Sequence, residues 1–220
     1  MKQTLSLIIV LWLGLSLAPA RIRVLESNPS QLLLEYTIDD YKLLREGEFQ
    51  ALTSSDMSSF SLPGSPDLPY SELKIGIPPG AGISAQIISS SKVKQPLSHR
   101  LRPVPHMEER DGISFSNYLI NESDYRNALR PTIEMLPETG FRGYSFVPVT
   151  VHPFTYDGDL GLEITTQALI RVIINGNTGY RGQTENDPLA EIVLEQLVNK
   201  DFAVNWPSQT RAPSLPACAR

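Results

Sequence analysis

The sequence predicts a mainly β protein, an antiparallel β-sandwich closed by one C-terminal helix. Three observations carry this. QLLLEYTI (31–38) alternates with a period of two, LEITTQALIRVIING (162–176) keeps that alternation for most of its length, and Gly- and Asp-rich turns such as DGDLG (157–161) separate such runs. A helical stripe occurs convincingly only once, near the end of the chain.

The first residues read as an export signal rather than as part of the fold. Lys2 supplies a positive start, Leu5–Leu17 are almost wholly apolar, and Ala18-Pro19-Ala20 offers small residues for cleavage after Ala20. That run is too short to cross a bilayer, which takes about 20 residues. The expected organisation is a signal peptide over 1–20, a β-sandwich over 21–206 and a linker or tail over 207–220, with a secreted product in the periplasm, at the cell surface or outside the cell.

From Arg21 each strand can be justified in turn. IRVLE and QLLLEYTI flank the turn residues SNPS (27–30) and read as a hairpin, with Leu32, Leu34, Tyr36 and Ile38 on one face. EFQALTSS follows, then ELKIGIP with Leu73, Ile75 and Ile77 aligned, then GISAQIIS with Ile83, Ala85 and Ile87 aligned. The Pro- and charge-rich stretch 94–112 lacks apolar spacing and reads as an exposed loop. GYSFVPVTVHPFTY puts Val147, Val149 and Val151 on one face, and the long run after it does so with Leu162, Ile164, Thr166, Ala168, Ile170, Val172 and Ile174. In NDPLAEIVLEQLVNK, Asp187 suits an N-cap, Pro188 the first helical position, and Leu189, Ile192, Val193 and Leu197 a buried stripe.

Composition bounds the function. A net charge of −5 and a pI near 5.3 do not suit a phosphate-binding surface, so no nucleic-acid partner is expected. The single cysteine, Cys218, allows no internal disulfide, and the core must hold the fold. His99, His106 and His152 lack metal-ligand spacing, and Cys218 sits in a Pro-rich tail without the surroundings that activate a thiolate. The adjacent pairs Asp39-Asp40 and Glu108-Glu109 do not converge on one face. Asn121-Glu122-Ser123 fits the glycosylation pattern, which is common by chance. No catalytic residue, metal site or cofactor is expected.

The segment GSPDLPYSELKIGIPPGAGISAQI resembles the Gly-x-Pro-x-Leu-Pro stretch, followed by a strand ending in Ile-Pro, of propeptides of gingipain-type secreted bacterial cysteine peptidases. RPTIEMLPETGFRGYSFVPVTVHPFTYDGDLGLEITTQALIRVII and VNKDFAVNW are similar to later parts of that prodomain, so the resemblance runs from about Ile22 to Trp206. Asp157-Gly158 stands where the family has an asparagine-like turn, which keeps the turn chemistry.

The resemblance implies a non-catalytic prodomain of a cysteine endopeptidase precursor, acting as folding chaperone and latency inhibitor until proteolysis removes it. Its implied partner is a cysteine peptidase domain, downstream in cis or supplied in trans. Arg110, in EERDG, is the first candidate for a basic residue that blocks the peptidase pocket, and Arg126 the second. Arg211, in the Pro-rich tail, is the candidate processing point. The alternative is a secreted adhesion or carbohydrate-binding module, which would need an aromatic platform from Tyr118, Tyr125 or Tyr180. Pro63, Pro66 and Pro69, crowded ahead of a strand, read as scaffold that fixes an extended crossing segment in one register.

Overall fold

Leu32, Leu34, Tyr36 and Ile38 are all buried, each between less buried neighbours, as a strand with one face on a core requires. A computed structural model describes residues 21–38, 40–55, 57–59, 62–126, 128, 130–158, 160–179 and 188–207. The described residues begin with β1 (Arg21–Asn28), β2 (Gln31–Thr37), β3 (Lys42–Glu46), β4 (Phe49–Thr53), β5 (Ser58–Ser59), β6 (Pro69–Ile77) and β7 (Gly82–Pro96). The hairpin β8 (His106–Arg110) and β9 (Ile113–Asn117) follows, then helix α1 (Glu122–Arg126). After β10 (Ile133–Met135), β11 (Thr139–Phe141), β12 (Tyr144–Val151), β13 (Phe154–Tyr156) and β14 (Gly161–Asn175), helices α2 (Pro188–Glu195) and α3 (Lys200–Ala203) end the described chain.

Two five-stranded antiparallel sheets face each other across one core. In the first, β14 is the spine: β7 runs along one edge, while β13 and then β2 share the other, with β1 outside β2. The second runs β10-β12-β6-β5, with β11 also on β12. The aligned residues of β2, β6, β12 and β14 meet in a single apolar cluster with Phe154, Tyr156 and Trp206. Each such side chain contributes about 1.5–3 kcal/mol by leaving water.

The pairing of β14 with β7 slips twice. β14 carries an extra residue between Thr165 and Gln167, and β7 carries one opposite the step from Leu169 to Ile170. The two bulges cancel, so Ile164 and Ile170 both stay buried on the core face. Thr165, rather than Thr166, is buried at the slip.

Two expectations change. The stretch 94–112 is not a loop: β7 extends through Pro96, and His106–Arg110 forms one strand of a hairpin. The expected single C-terminal helix is two helices, with a third, α1, earlier in the chain. The break at Gln196–Asn199 has a tertiary cause, because these residues join the free edge of β6. Val198 N–H donates to Lys74 O at 3.0 Å. The Asn199 side chain then imitates a strand residue: its Nδ2 donates to Gly76 O at 2.9 Å and its Oδ1 accepts from Gly76 N–H at 2.8 Å. A Cβ on Gly76 would lie 2.7 Å from the Ala203 Cβ, so only glycine lets α3 come this close. Of the expected helical stripe, Leu197 is buried and Val193 half-buried, while Leu189 and Ile192 face solvent.

Asn199→Ala leaves both backbone groups of Gly76 unsatisfied in a buried site, and should lower unfolding stability by about 2–4 kcal/mol, read as a shift in urea midpoint at constant slope.

His152 supplies a pH-dependent test. It is buried beside Tyr70, and burial together with the nearby Arg130 charge lowers its pKa from the ordinary 6.5, which Glu134 only partly offsets. A histidine held neutral in the fold takes up its proton more readily when unfolded. Its contribution is therefore intact above about pH 6.5 and lost as pH falls below that value. His152→Phe should flatten the loss of melting temperature between pH 7 and pH 5 relative to the unsubstituted protein.

Candidate functional site

The hairpin β8–β9 is a two-stranded sheet of its own, outside both faces of the sandwich. Both its faces are exposed: Met107 is 66%, Ile113 59% and Phe115 48% accessible. Arg110 and Ile113 are the last pair of the ladder, and the two-residue loop between them, Asp111-Gly112, has φ of +53° and +75°. Positive φ at both positions defines the type I′ turn, whose twist matches that of the strands, and Asp-Gly is among its preferred pairs. The Arg110 side chain is 75% accessible and its Nη2 meets Glu108 Oε2 at 2.8 Å. Cross-strand pairing puts Arg110, Ile113, Glu108 and Phe115 on one side of this arm.

The arm needs a rigid base, because an isolated two-stranded hairpin is marginal in water. Its incoming leg is residues 97–105 and its outgoing leg 118–125. Gln50 fixes the first: its side chain accepts from the N–H groups of Ser98 and His99, and its backbone exchanges bonds with Arg100 and Arg102. Arg100 reaches across to the outgoing leg, with a two-pronged bond to Glu122 at 2.8 and 3.0 Å and its guanidinium 4.6 Å from the Tyr125 ring centroid. That bonding holds the Glu122 carboxyl below the usual range. Tyr125, fully buried, donates its hydroxyl to Leu101 O at 2.7 Å. Arg102 forks to Glu46 at 2.7 Å and Asp67 at 2.9 Å. Each arginine leaves its Nε buried without a partner, so these ion pairs set geometry more than they add stability.

The proline-rich segment 62–69 lies between the two legs. Gly64 N–H donates to Val104 O on the incoming leg at 2.8 Å, and Gly64 O accepts from Asn121 N–H on the outgoing leg at 2.9 Å. Ser65 O accepts from Val104 N–H, and Asp67 N–H donates to Arg102 O. Pro66, which has no N–H, faces Pro103 in this crossing. Prolines fall where no donor is needed, and the residues between them make the bonds.

Arg126, the other candidate, ends α1 at the foot of the arm, and its Nε donates to Glu122 O at 3.2 Å. It is exposed, but the fold places it at the base rather than at the tip. Asn121 caps α1: its Oδ1 accepts from Ser123 N–H at 3.1 Å and its Nδ2 donates to Asp124. Of the three tyrosines considered for a platform, Tyr125 is buried, Tyr118 is 39% accessible, and Tyr180 lies outside the described residues, as do Ala20, Arg211, Cys218 and Asp187. Among the described residues no group of three His, Cys, Asp or Glu side chains is arranged to hold a metal ion. No helix among them is long and apolar enough to cross a membrane.

The family model Propeptide_C25 matches residues 15–198. The chain belongs to the Propeptide_C25 family. It is a non-catalytic propeptide domain of the gingipain type, and such propeptides belong to secreted or cell-surface proteases. Solved structures share its fold, among them the following two. One is a complex of the pro- and mature domains of RgpB from Porphyromonas gingivalis, at 16% identity and a TM-score of 0.64, matched over 81% of this chain and 97% of that one. The other is gingipain K from the same organism, solved to explain its zymogenic latency, at 19% identity and a TM-score of 0.60 over 74% and 96%. No curated protein matches the chain in sequence.

Gly64 is sensitive to a small change. Its φ is +87°, and a Cβ would lie 3.1 Å from the Asn121 Cβ and 3.2 Å from Leu119 O. Gly64→Ala should cost about 1–3 kcal/mol and speed limited proteolysis in 97–105 and 118–125, mapped by mass spectrometry, before the sandwich itself is cut.

Proposed function

We propose that this prodomain acts as folding chaperone and latency inhibitor of a secreted bacterial cysteine peptidase, and that the β8–β9 arm is the part that enters the peptidase cleft with Arg110 in its specificity pocket. The observation that carries the reading is the arm itself. An arginine sits at the tip of a projecting hairpin whose flank exposes Ile113 and Phe115, on a rigid base, in a chain of the propeptide family. A preorganised arm loses little conformational freedom on docking, and its apolar flank gains by leaving water. A prodomain that binds only the folded peptidase stabilises it by about 2.7 kcal/mol at a concentration 100 times its Kd, which is the chaperone role in thermodynamic form.

The domain scheme goes with this reading: a leader removed after Ala20, the sandwich over 21–206, and a linker in which cleavage after Arg211 separates prodomain from peptidase. N-terminal sequencing of the mature product from the natural host tests that step, and a start at any residue other than Ala212 rules Arg211 out.

Arg110→Ala should weaken inhibition of the cognate peptidase by about 30-fold or more, as loss of a central buried anchor does. Arg126→Ala should change it by less than about threefold. Inhibition constants for the single and double variants decide the assignment, and an unchanged constant for the double variant rejects both residues.

A further inference from the structure

Three β-bulges, in three different strands, meet on the outer face of the first sheet. β1 carries an extra residue at Leu25, β14 at Thr166 and β7 at Ile88. A bulge bends its strand and sharpens the local twist, so three together hollow a face that would otherwise be open and shallow. The result is a half-open trough of about 310 Å³, lined by Leu25, Glu35, Gln167, Leu169 and the serine run 89–91. Small-ligand sites begin at about that size. We propose that this trough binds a neutral saccharide. None of its lining residues belongs to the arm or its legs, so the inference stands apart from the role given to Arg110.

Register sets the floor of the trough. Arg23, Glu35, Leu169 and Ser89 form one row across β1, β2, β14 and β7, and they face outward because Ala168 and Ile170 point to the core. Three strand spacings make that row roughly 14 Å long. Glu35 Oε2 accepts from Arg23 Nε at 2.9 Å and Nη2 at 2.7 Å, and its Oε1 accepts from Gln167 Nε2 at 2.9 Å. The carboxylate is thus oriented and its charge met, with lone pairs to spare, and Gln167 is held with its carbonyl uncommitted. No cation lines the trough, and Lys92, next along β7, is bound to Glu163 at 2.7 Å. A phosphate or carboxylate ligand therefore finds no counter-charge. The hydroxyls of Ser89, Ser90 and Ser91 bond to no described residue. Each can donate and accept, as neighbouring sugar hydroxyls also do, while Leu25 and Leu169 offer apolar surface to the C–H face of a ring. Strands favour β-branched and aromatic side chains, so three consecutive serines give β7 little packing in return.

The test titrates the full chain, followed by backbone amide NMR, with neutral oligosaccharides of glucose, mannose, galactose and N-acetylglucosamine, and with polygalacturonate and inorganic phosphate as charged probes. At least one neutral oligosaccharide should give saturable shifts centred on Leu25, Glu35, the serine run and Gln167–Leu169. The double variant Ser89→Val, Ser91→Val should bind it about tenfold or more weakly, the cost of one or two lost hydrogen bonds. Valine suits a strand, and a melting curve verifies that the variant folds. Its inhibition of a gingipain-type peptidase should equal that of the unsubstituted protein. Failure of every neutral oligosaccharide to saturate overturns the inference, as do shifts confined to other residues or undiminished binding by the double variant. Binding of phosphate or polygalacturonate in the trough overturns the neutral class. Weakened inhibition by the variant overturns the inference too, by making the trough part of the peptidase contact.

Discussion

The backbone of Gly64 is the point on which the arm depends. Its N–H and C=O are bonded to two segments that lie on either side of the hairpin in sequence, Val104 before it and Asn121 after it. One residue with a left-handed φ thus closes a loop that contains the whole arm. The adjoining prolines fix the approach to this point without spending donors, and the alternation of β6 starts directly after them at Pro69. A more flexible segment would still reach the same place, but at a larger loss of chain entropy, and the two legs would not be held in one register.

The sandwich rests on a different device. β14 pairs with three other strands, and its own bulge is offset in register by one in β7, while its apolar face stays on the core. The second sheet lacks such a spine. Its central strand β6 is shared along one edge by β5 and by the non-helical residues 197–199, and Asn199 continues the ladder with a side-chain amide. Residues 197–199 are thereby part of the sheet. Trp206, 1% accessible with its Nε1 donating to Thr178 O, ties the segment after α3 to the turn after β14.

The strands with one buried face were legible in the sequence because burial imposes alternation: Leu32 to Ile38, Leu73 to Ile77, Val147 to Val151 and most of β14 are aligned as the period of two requires. The arm was not legible by that route, since a hairpin with both faces in solvent has no reason to alternate. Its signal was the Asp111-Gly112 pair, which nearby Pro103 and Pro105 and the run of charges masked. β3 escaped notice for the same reason, being mostly exposed. The split of the last helix was invisible locally, because Gln196–Asn199 suit a helix and leave it only to reach Lys74 and Gly76, more than a hundred residues earlier. Among site residues, Arg110 could be singled out as a charge in an unusual stretch, but its place at a tip and that of Arg126 at a base depend on pairings the sequence does not display.

The exposed apolar residues of the arm bear on why it is built as a hairpin at all. Met107, Ile113 and Phe115 are a liability on a free protein, since paired strands with apolar side chains invite association. The arm is short, twisted by its type I′ turn and studded with His106, Glu108, Glu109, Arg110 and Asp111, all of which disfavour edge-to-edge pairing with another copy. A flexible loop with the same residues would avoid the liability but would have to be ordered on each encounter, at about 1–2 kcal/mol per residue. The hairpin meets that cost during folding of the prodomain. The apolar flank is therefore available to bind as soon as a complementary surface appears.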